Sequence, residues 1–268
     1  MDALTATALT RTAIDDCATA VTGLFDAVFE RIEQWRTSIE GYVADRDGIV
    51  SSAGIDALVQ DLLMREFADA RGSVIGAGFV AAPGFIPDAN WHLAWWLGDL
   101  NTFGMGAAAP RIRRLDAVED PADESFRDYT TLEWWRVPAG TGRRHITGPY
   151  VDYLCTDDYT LTLTAPACRG DAMIGVVGAD LYVEDVERTL LPRLGAVGSA
   201  VTLVNSSGRV VVSTDAHLPT GSLLRLDGLA EVLRAREQAV PTVRLEAGQE
   251  VIWCGGTGLA LVVTPALP

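Results

Sequence analysis

A long stretch of helical periodicity near the start of the chain constrains the fold most. Between Ile14 and Tyr42 the apolar residues recur in alternating steps of four and three, over roughly four heptads. This spacing predicts one long amphipathic helix, and Leu24, Phe29 and Val43 widen its apolar stripe beyond a strict coiled-coil seam. The pattern leaves two interpretations open: the stripe packs only within its own domain, or part of it pairs with a second copy of the chain.

The rest of the chain predicts one more N-terminal helix and then mostly strands. Apolar positions from Ile55 to Phe67 mark the buried face of the second helix, which we expect to end at Arg71–Gly72. Segments 159–166 and 172–181 flank the turn Arg169–Gly170–Asp171 and predict an antiparallel hairpin near the centre of a sheet. A short helix and a second β-rich region follow. We therefore predict an α+β chain with domain boundaries at 1–72, 73–195 and 196–268.

The charge balance excludes several classes of partner. The net charge of −15 repels nucleic-acid phosphates and anionic lipid, so we expect neither nucleic acid nor membrane as partner. The chain contains no lysine, which rules out Schiff-base chemistry and a Walker-type phosphate site. It also begins without the features of a secretory signal and has no run of about 18 apolar residues, so the sequence favours a cytoplasmic location.

The residues that usually carry catalysis or metal binding are scattered. Cys17, Cys155, Cys168 and Cys254 form no CxxC pair, and we expect four reduced, mostly buried thiols. The three histidines form no HExxH motif, so no metal or other cofactor is predicted; His145 near Asp157–Asp158 is the weak alternative. Since no activated Ser or Cys nucleophile stands out either, we expect a non-catalytic binding protein.

Aromatic and acidic residues concentrate in the segments FRDYTTLEWWRVPAG, HITGPYVDY and VVGAD. Together they supply six candidate ligand-binding residues: Tyr129, Trp134, Trp135, Tyr150, Asp152 and Asp180. The set resembles the Cache family of ligand-sensing domains, in which a long N-terminal helix precedes the ligand domain. The order of elements is similar to the double-Cache arrangement and covers nearly the whole chain. The resemblance implies two PAS-like antiparallel-sheet modules, the larger of them binding the ligand.

The resemblance also implies roles for individual residues. In Cache domains that bind amino acids, paired aromatics are followed by a Tyr about sixteen residues later and an Asp about thirty beyond that, as with Trp134–Trp135, Tyr150 and Asp180. The aromatics would wall the ligand, and the Asp would accept hydrogen bonds from its ammonium group. The family's carboxylate-gripping Arg is replaced here by Leu132. The sequence therefore favours an amine or quaternary amine, with Arg136, Arg143 or Arg144 as substitute grips for an amino acid.

Structural roles are open for several of these residues. Trp91, Trp95 and Trp96 stand at helical spacing that suits plain packing. Tyr129 fits a strand aromatic as well as a pocket wall. Asp152 follows GPYV and suits a turn as well as a pocket.

We thus expect a small-molecule sensor that recognises a nitrogen-containing metabolite. Its partners would be that ligand, a second copy of the chain through the N-terminal helix, and a separate output protein. Two alternatives are a dimeric scaffold with a vestigial pocket and, less favoured, a small-molecule enzyme. A ligand that raises the melting temperature would separate a sensor from a scaffold.

Overall fold

The computed structural model of the chain describes residues 3–67, 73–101, 112–152, 156–235 and 242–265, and for residues 3–10 it describes the backbone only. Within these ranges the helices are α1 (Ala3–Ala44), α2 (Ser52–Phe67), the 3₁₀ turn η1 (Tyr129–Thr131), α3 (Glu133–Thr141), α4 (Val183–Gly195) and α5 (Leu229–Arg234). None of the helices in this part of the chain combines the length and apolar character that crossing a bilayer requires.

Two antiparallel sheets accompany the helices. The six-stranded sheet has the order β3-β2-β1-β6-β5-β4, and its strands are β1 (Val74–Ala81), β2 (Leu93–Leu97), β3 (Arg113–Arg114), β4 (His145–Val151), β5 (Tyr159–Arg169) and β6 (Ala172–Tyr182). The five-stranded sheet has the order β8-β7-β11-β10-β9, and its strands are β7 (Ala200–Val204), β8 (Val210–Ser213), β9 (Thr242–Arg244), β10 (Glu250–Trp253) and β11 (Ala260–Thr264). The expected α+β architecture is confirmed.

Helix α1 follows the apolar stripe read from the sequence. Its side chains at the stripe positions Ile14, Val21, Phe25, Ile32 and Ile39 are all buried within the single chain. The helix ends where the chain turns through Asp47–Gly48, both with positive φ, and a guanidinium N–H of Arg169 donates to the carbonyl of Asp47 at 2.7 Å. Intramolecular packing therefore accounts for the stripe, and pairing with a second copy stays a prediction.

The described chain forms two compact units. One unit contains residues Val28–Thr147 and Val151–Tyr182, and the other contains α1 up to Ala27, Gly148–Tyr150 and the chain from Val183 onward. Helix α1 contributes to both units, because its apolar stripe is long enough to pack in each. The boundaries at 72/73 and 195/196 stay a prediction.

The segment around Trp95 corrects a reading of the sequence. The spacing of Trp91, Trp95 and Trp96 suits a helix, but residues 93–97 form strand β2. Adjacent residues of a strand point to opposite faces, so Trp95 and Trp96 face different sides of the sheet. Tyr129 also lies outside any strand, in the 3₁₀ turn η1. The β5–β6 hairpin and helix α4 form where the sequence predicts them.

Candidate functional site

One face of the six-stranded sheet carries three glycines side by side. Paired residues in antiparallel strands point to the same face, and the register puts Gly76 beside Asp180 and Gly78 beside Gly178. The pairing continues across the neighbouring strands to form two rows of residues. One row contains Gly76, Asp180 and Thr162, and the other contains Trp95, Gly78, Gly178 and Thr164. We call this surface the glycine face. Without side chains at its centre, it leaves room for groups that lie flat on the sheet.

The indole of Trp95 occupies part of this room. A Cβ at Gly178 would stand 3.4 Å from Trp95 Cη2, and a Cβ at Gly76 would stand 3.0 Å from Trp95 Nε1. The ring therefore runs along the glycines, and its N–H edge reaches the row that contains Asp180. The side chain is only 6% exposed.

Asp180 is a buried carboxylate on the same face, only 3% exposed. The hydroxyl of Thr162 donates to its Oδ1 at 2.6 Å, and no other hydrogen bond to this carboxylate occurs among the described residues. Burial raises the pKa of Asp180 well above its usual value, and the nearby Asp152 carboxylate raises it further. A cation bound beside the buried Asp180 would offset both the desolvation of its carboxylate and the repulsion from the partly buried Asp152.

An aromatic cluster covers the neighbouring part of the sheet. Tyr129 lies at its centre, with ring centroids 5.0 Å from Trp91, 6.2 Å from Trp134 and 5.1 Å from Trp135. Trp95 packs in the same cluster of buried residues. Burial raises the pKa of Tyr129. Its hydroxyl donates to the carbonyl of Ala81 at 2.6 Å, so the phenol is already engaged by strand β1.

Helix α3 places the paired tryptophans over the sheet. The hydroxyl of Thr164, on the glycine face, donates to the carbonyl of Trp134 at 2.8 Å and so fixes the helix above strand β5. The helix stops at Gly142, whose φ of 65° is the left-handed conformation that favours glycine at this position. Trp135 is buried and Trp134 is partly buried.

The structure thus brings Tyr129, Trp134 and Trp135 into one cluster, and Trp95 links that cluster to Asp180. Asp152 is partly buried and close enough to influence Asp180; its backbone carbonyl also accepts from the N–H of Thr156 at 2.8 Å, as a turn residue would. Tyr150 is partly buried on edge strand β4. It belongs to the compact unit that contains the chain from Val183 onward. The ligand-binding roles of all six residues stay predictions.

The arginines that the sequence offers for binding a ligand carboxylate are exposed. Arg136, Arg143 and Arg144 all lie at the surface, and the Arg144 guanidinium stands over the ring of Phe29 at 4.5 Å. No cation of the described residues appears among the groups that shift the pKa of Asp180. The groups that act on Asp180 itself are thus an acidic side chain and a hydroxyl, from Asp152 and Thr162.

Sequence reasoning missed a charged network at the start of β2. His92 is 2% exposed and lies between Asp56 of α2, at 3.0 Å from Nε2, and Glu119, at 3.2 Å from Nδ1. Arg114 contacts both carboxylates. Although burial opposes the charge, the two carboxylates raise the pKa of His92 to about 9. The network fixes residue 92 between Trp91 of the aromatic cluster and the strand that carries Trp95.

The described cysteines are free thiols, at Cys17, Cys168 and Cys254; Cys155 lies outside the described residues. Burial raises the pKa of all three described thiols, which makes them poor nucleophiles. In the described ranges no three His, Cys, Asp or Glu side chains come together as a metal site would require. Asp157 and Asp158 are exposed just before strand β5. The contact that His145 Nε2 makes is with Glu133 Oε1, at 2.9 Å.

One protein-family model matches part of the chain. Residues 92–188 match the model of the methyl-accepting chemotaxis protein-like first PDC sensor domain. That region contains Trp95, the aromatic cluster and Asp180. No curated protein matches the chain in sequence at a significant level.

Solved structures resemble the chain over nearly its whole length. A domain assigned as the extracellular part of the histidine kinase mmHK1S-Z3 has a TM-score of 0.65 at 16% identity, covering 98% of this chain and 95% of that one. The ligand-binding domain of the Pseudomonas fluorescens chemoreceptor CtaA with L-leucine has a TM-score of 0.53 at 17% identity, with 93% and 89% covered. That of Pseudomonas aeruginosa PAO1 PctC with GABA has 0.52 at 15%, with 97% and 100% covered. The resemblance to the Cache (PDC) sensor domains is confirmed.

Gly178→Ala tests whether the glycine face is packed as described. The new Cβ would lie 2.7 Å from the carbonyl oxygen of Leu163 and 2.9 Å from Thr164 Cγ2, so we expect a loss of about 2 kcal/mol in the free energy of unfolding. Chemical denaturation measures it. The matched change Gly140→Ala, in helix α3 with no atom within 4 Å, should stabilise the protein slightly. Equal effects at the two positions would contradict the close packing of strand β5 around Gly178.

Proposed function

We propose that this chain is a sensor domain that binds a small, positively charged amine or quaternary amine against the glycine face. The observation that carries the proposal is Asp180: a buried carboxylate, hydrogen-bonded only by Thr162 among the described residues, beside a cluster of aromatic rings. A buried carboxylate without a counter-charge costs several kcal/mol unless it is protonated or meets a cation.

The electrostatics favour a cationic ligand over an anionic one. Asp152 and Asp180 repel each other. A bound ammonium group would offset this repulsion, whereas a bound carboxylate would add to it. Aromatic faces add attraction for a desolvated cation, worth about 2 kcal/mol or more per contact. Trp91 and Trp134 are the partly buried rings of the cluster, and Trp134 is the one whose backbone carbonyl accepts from Thr164 of the glycine face, so it is the ring best placed to meet such a ligand.

The ligands of two structural relatives share one chemical group with a primary amine. CtaA was solved with L-leucine and PctC with GABA, and both molecules carry a protonated amino group. They also carry a carboxylate, for which the glycine face offers no described arginine. The amine is thus the shared feature that Asp180 can recognise.

Signalling would proceed through helix α1 to a partner. Since α1 contributes to both compact units, a ligand that reorders one of them acts on a helix shared with the other. A homodimer would use α1 residues outside the buried stripe, such as the exposed Glu30 and Glu33. A cytoplasmic location and a separate output protein belong to the same proposal.

A thermal-shift screen with matched amines and carboxylates tests the proposal. We expect isopentylamine or choline to raise the melting temperature by about 5–10 °C at 100 times its Kd, and isovalerate to leave it unchanged. The ionised Asp180 is required, so affinity for the amine should fall as the pH is lowered and binding should release protons. Calorimetry in buffers of different ionisation enthalpy measures that release. A protein that responds to no amine would instead be the scaffold with a vestigial pocket.

A further inference from the structure

The indole N–H of Trp95 is a buried donor without a hydrogen-bond partner. Trp95 is 6% exposed, and its Nε1 is one of four buried side-chain polar atoms of the described residues that have no partner. Leaving such a donor unpaired is costly, and few are found in native proteins. It therefore marks a position where an acceptor is expected.

This donor is adjacent to the carboxylate proposed to hold the ligand. Trp95 Nε1 and Asp180 Oδ2 stand 3.0 Å and 3.4 Å from the point that a Cβ of Gly76 would occupy. Thr162 already donates to the other oxygen, Oδ1. One donor and one acceptor thus lie close together beside Gly76, near enough for two neighbouring polar groups of one small ligand to meet them.

We propose that the N–H of Trp95 is a second ligand-recognition group, and that the ligand carries a hydrogen-bond acceptor on the carbon next to its ammonium-bearing carbon. This rests on the proposed function, in which Asp180 holds the ammonium. The ligand class is then an α-amino carbonyl compound or a 1,2-amino alcohol. A simple alkylamine satisfies Asp180 and leaves the indole N–H unpaired.

The acceptor is an uncharged one. A neutral indole N–H is a single donor, whereas a carboxylate in a dry site needs a guanidinium or several donors. Asp152 and Asp180 add negative charge here, and Arg136, Arg143 and Arg144 are exposed. An amide or hydroxyl oxygen therefore fits better than the carboxylate of a free amino acid.

The experiment compares amines with their carboxamide counterparts by calorimetry. Three pairs cover a range of sizes: ethylamine with alaninamide, isopentylamine with leucinamide, and phenethylamine with phenylalaninamide. For at least one pair, the wild-type protein should bind the amide about tenfold more tightly than the amine, and leucinamide more tightly than L-leucine. Trp95→Phe keeps the aromatic packing and removes the N–H. It should abolish the tenfold preference, so that amine and amide bind with about equal affinity.

Trp96→Phe is the matched control, because Trp96 is equally buried on the same strand but faces the opposite side of the sheet. It should leave the amide preference intact. If amines bind but the amide has no advantage, or Trp95→Phe leaves the preference unchanged, the role of Trp95 is wrong while the proposed function stands. If no amine and no amide binds, the proposed function itself fails.

Discussion

Asp180→Asn is expected to weaken amine binding at least 100-fold and at the same time raise the melting temperature of the ligand-free protein. The amide keeps the shape of the carboxylate, and its oxygen can still accept from Thr162. It lacks the charge, and losing a charge-assisted contact of a buried ligand ammonium costs about 3 kcal/mol or more. The same residue that binds the ligand should therefore limit the stability of the empty protein.

The gain in stability follows from the sign of the pKa shift. Burial and Asp152 raise the pKa of Asp180 in the folded protein, so the folded state holds this proton more tightly than the unfolded chain does. Its stabilising effect is complete below the ordinary pKa of an Asp and is lost as the pH rises through the raised value. Asp180→Asn removes that loss, and the difference in melting temperature should be larger at pH 8 than at pH 4.

Differential scanning calorimetry without ligand and titration with isopentylamine measure the two effects. The control is Asp171→Asn, an exposed carboxylate in the turn of the same hairpin, which should change neither quantity. A variant at Asp180 that binds amines normally would show that the carboxylate does not hold the ammonium. A variant that is less stable at pH 8 would contradict the raised pKa.

Helical and strand periodicity predicted most of the fold. Helix α1 could be predicted from the apolar stripe between Ile14 and Tyr42, because each turn of the helix buries side chains of this stripe within the single chain. The β5–β6 hairpin could be read from its alternating residues and its glycine turn. The division of α1 between two compact units could not be predicted in this way. Periodicity indicates that a face is buried, but it does not indicate which element covers that face.

The candidate site was only partly visible in the sequence. Tyr129, Trp134 and Trp135 are close in the chain, so local turns suffice to cluster them. Trp95 was not among the predicted site residues, because its spacing from Trp91 suited plain packing. A better signal was present in the strands: Gly76, Gly78 and Gly178 weaken a strand unless something lies close on them, and the flat ring on those glycines is Trp95.

His92→Ala is expected to lower the free energy of unfolding at pH 7 by about 2–4 kcal/mol, a large effect for one side chain. The imidazolium is buried between Asp56 and Glu119, and removing it leaves Arg114 as the one cation that contacts these two partly buried carboxylates among the described residues. The loss should also loosen the start of β2, which lies between Trp91 and Trp95. Amine affinity should therefore fall as well, although His92 belongs to the network and not to the glycine face.

The pH dependence identifies the cause. The pKa of His92 is raised to about 9, so its stabilising effect is complete below the ordinary value of 6.5 and is lost as the pH rises through about 9. Wild-type protein should thus lose stability between pH 7 and pH 10, and His92→Ala should lack that particular loss. Denaturation across this range measures it, with His217→Ala as control because the His217 side chain is 97% exposed. If both variants kept the wild-type alkaline profile, the imidazole would be neutral, and packing alone would explain any loss at pH 7.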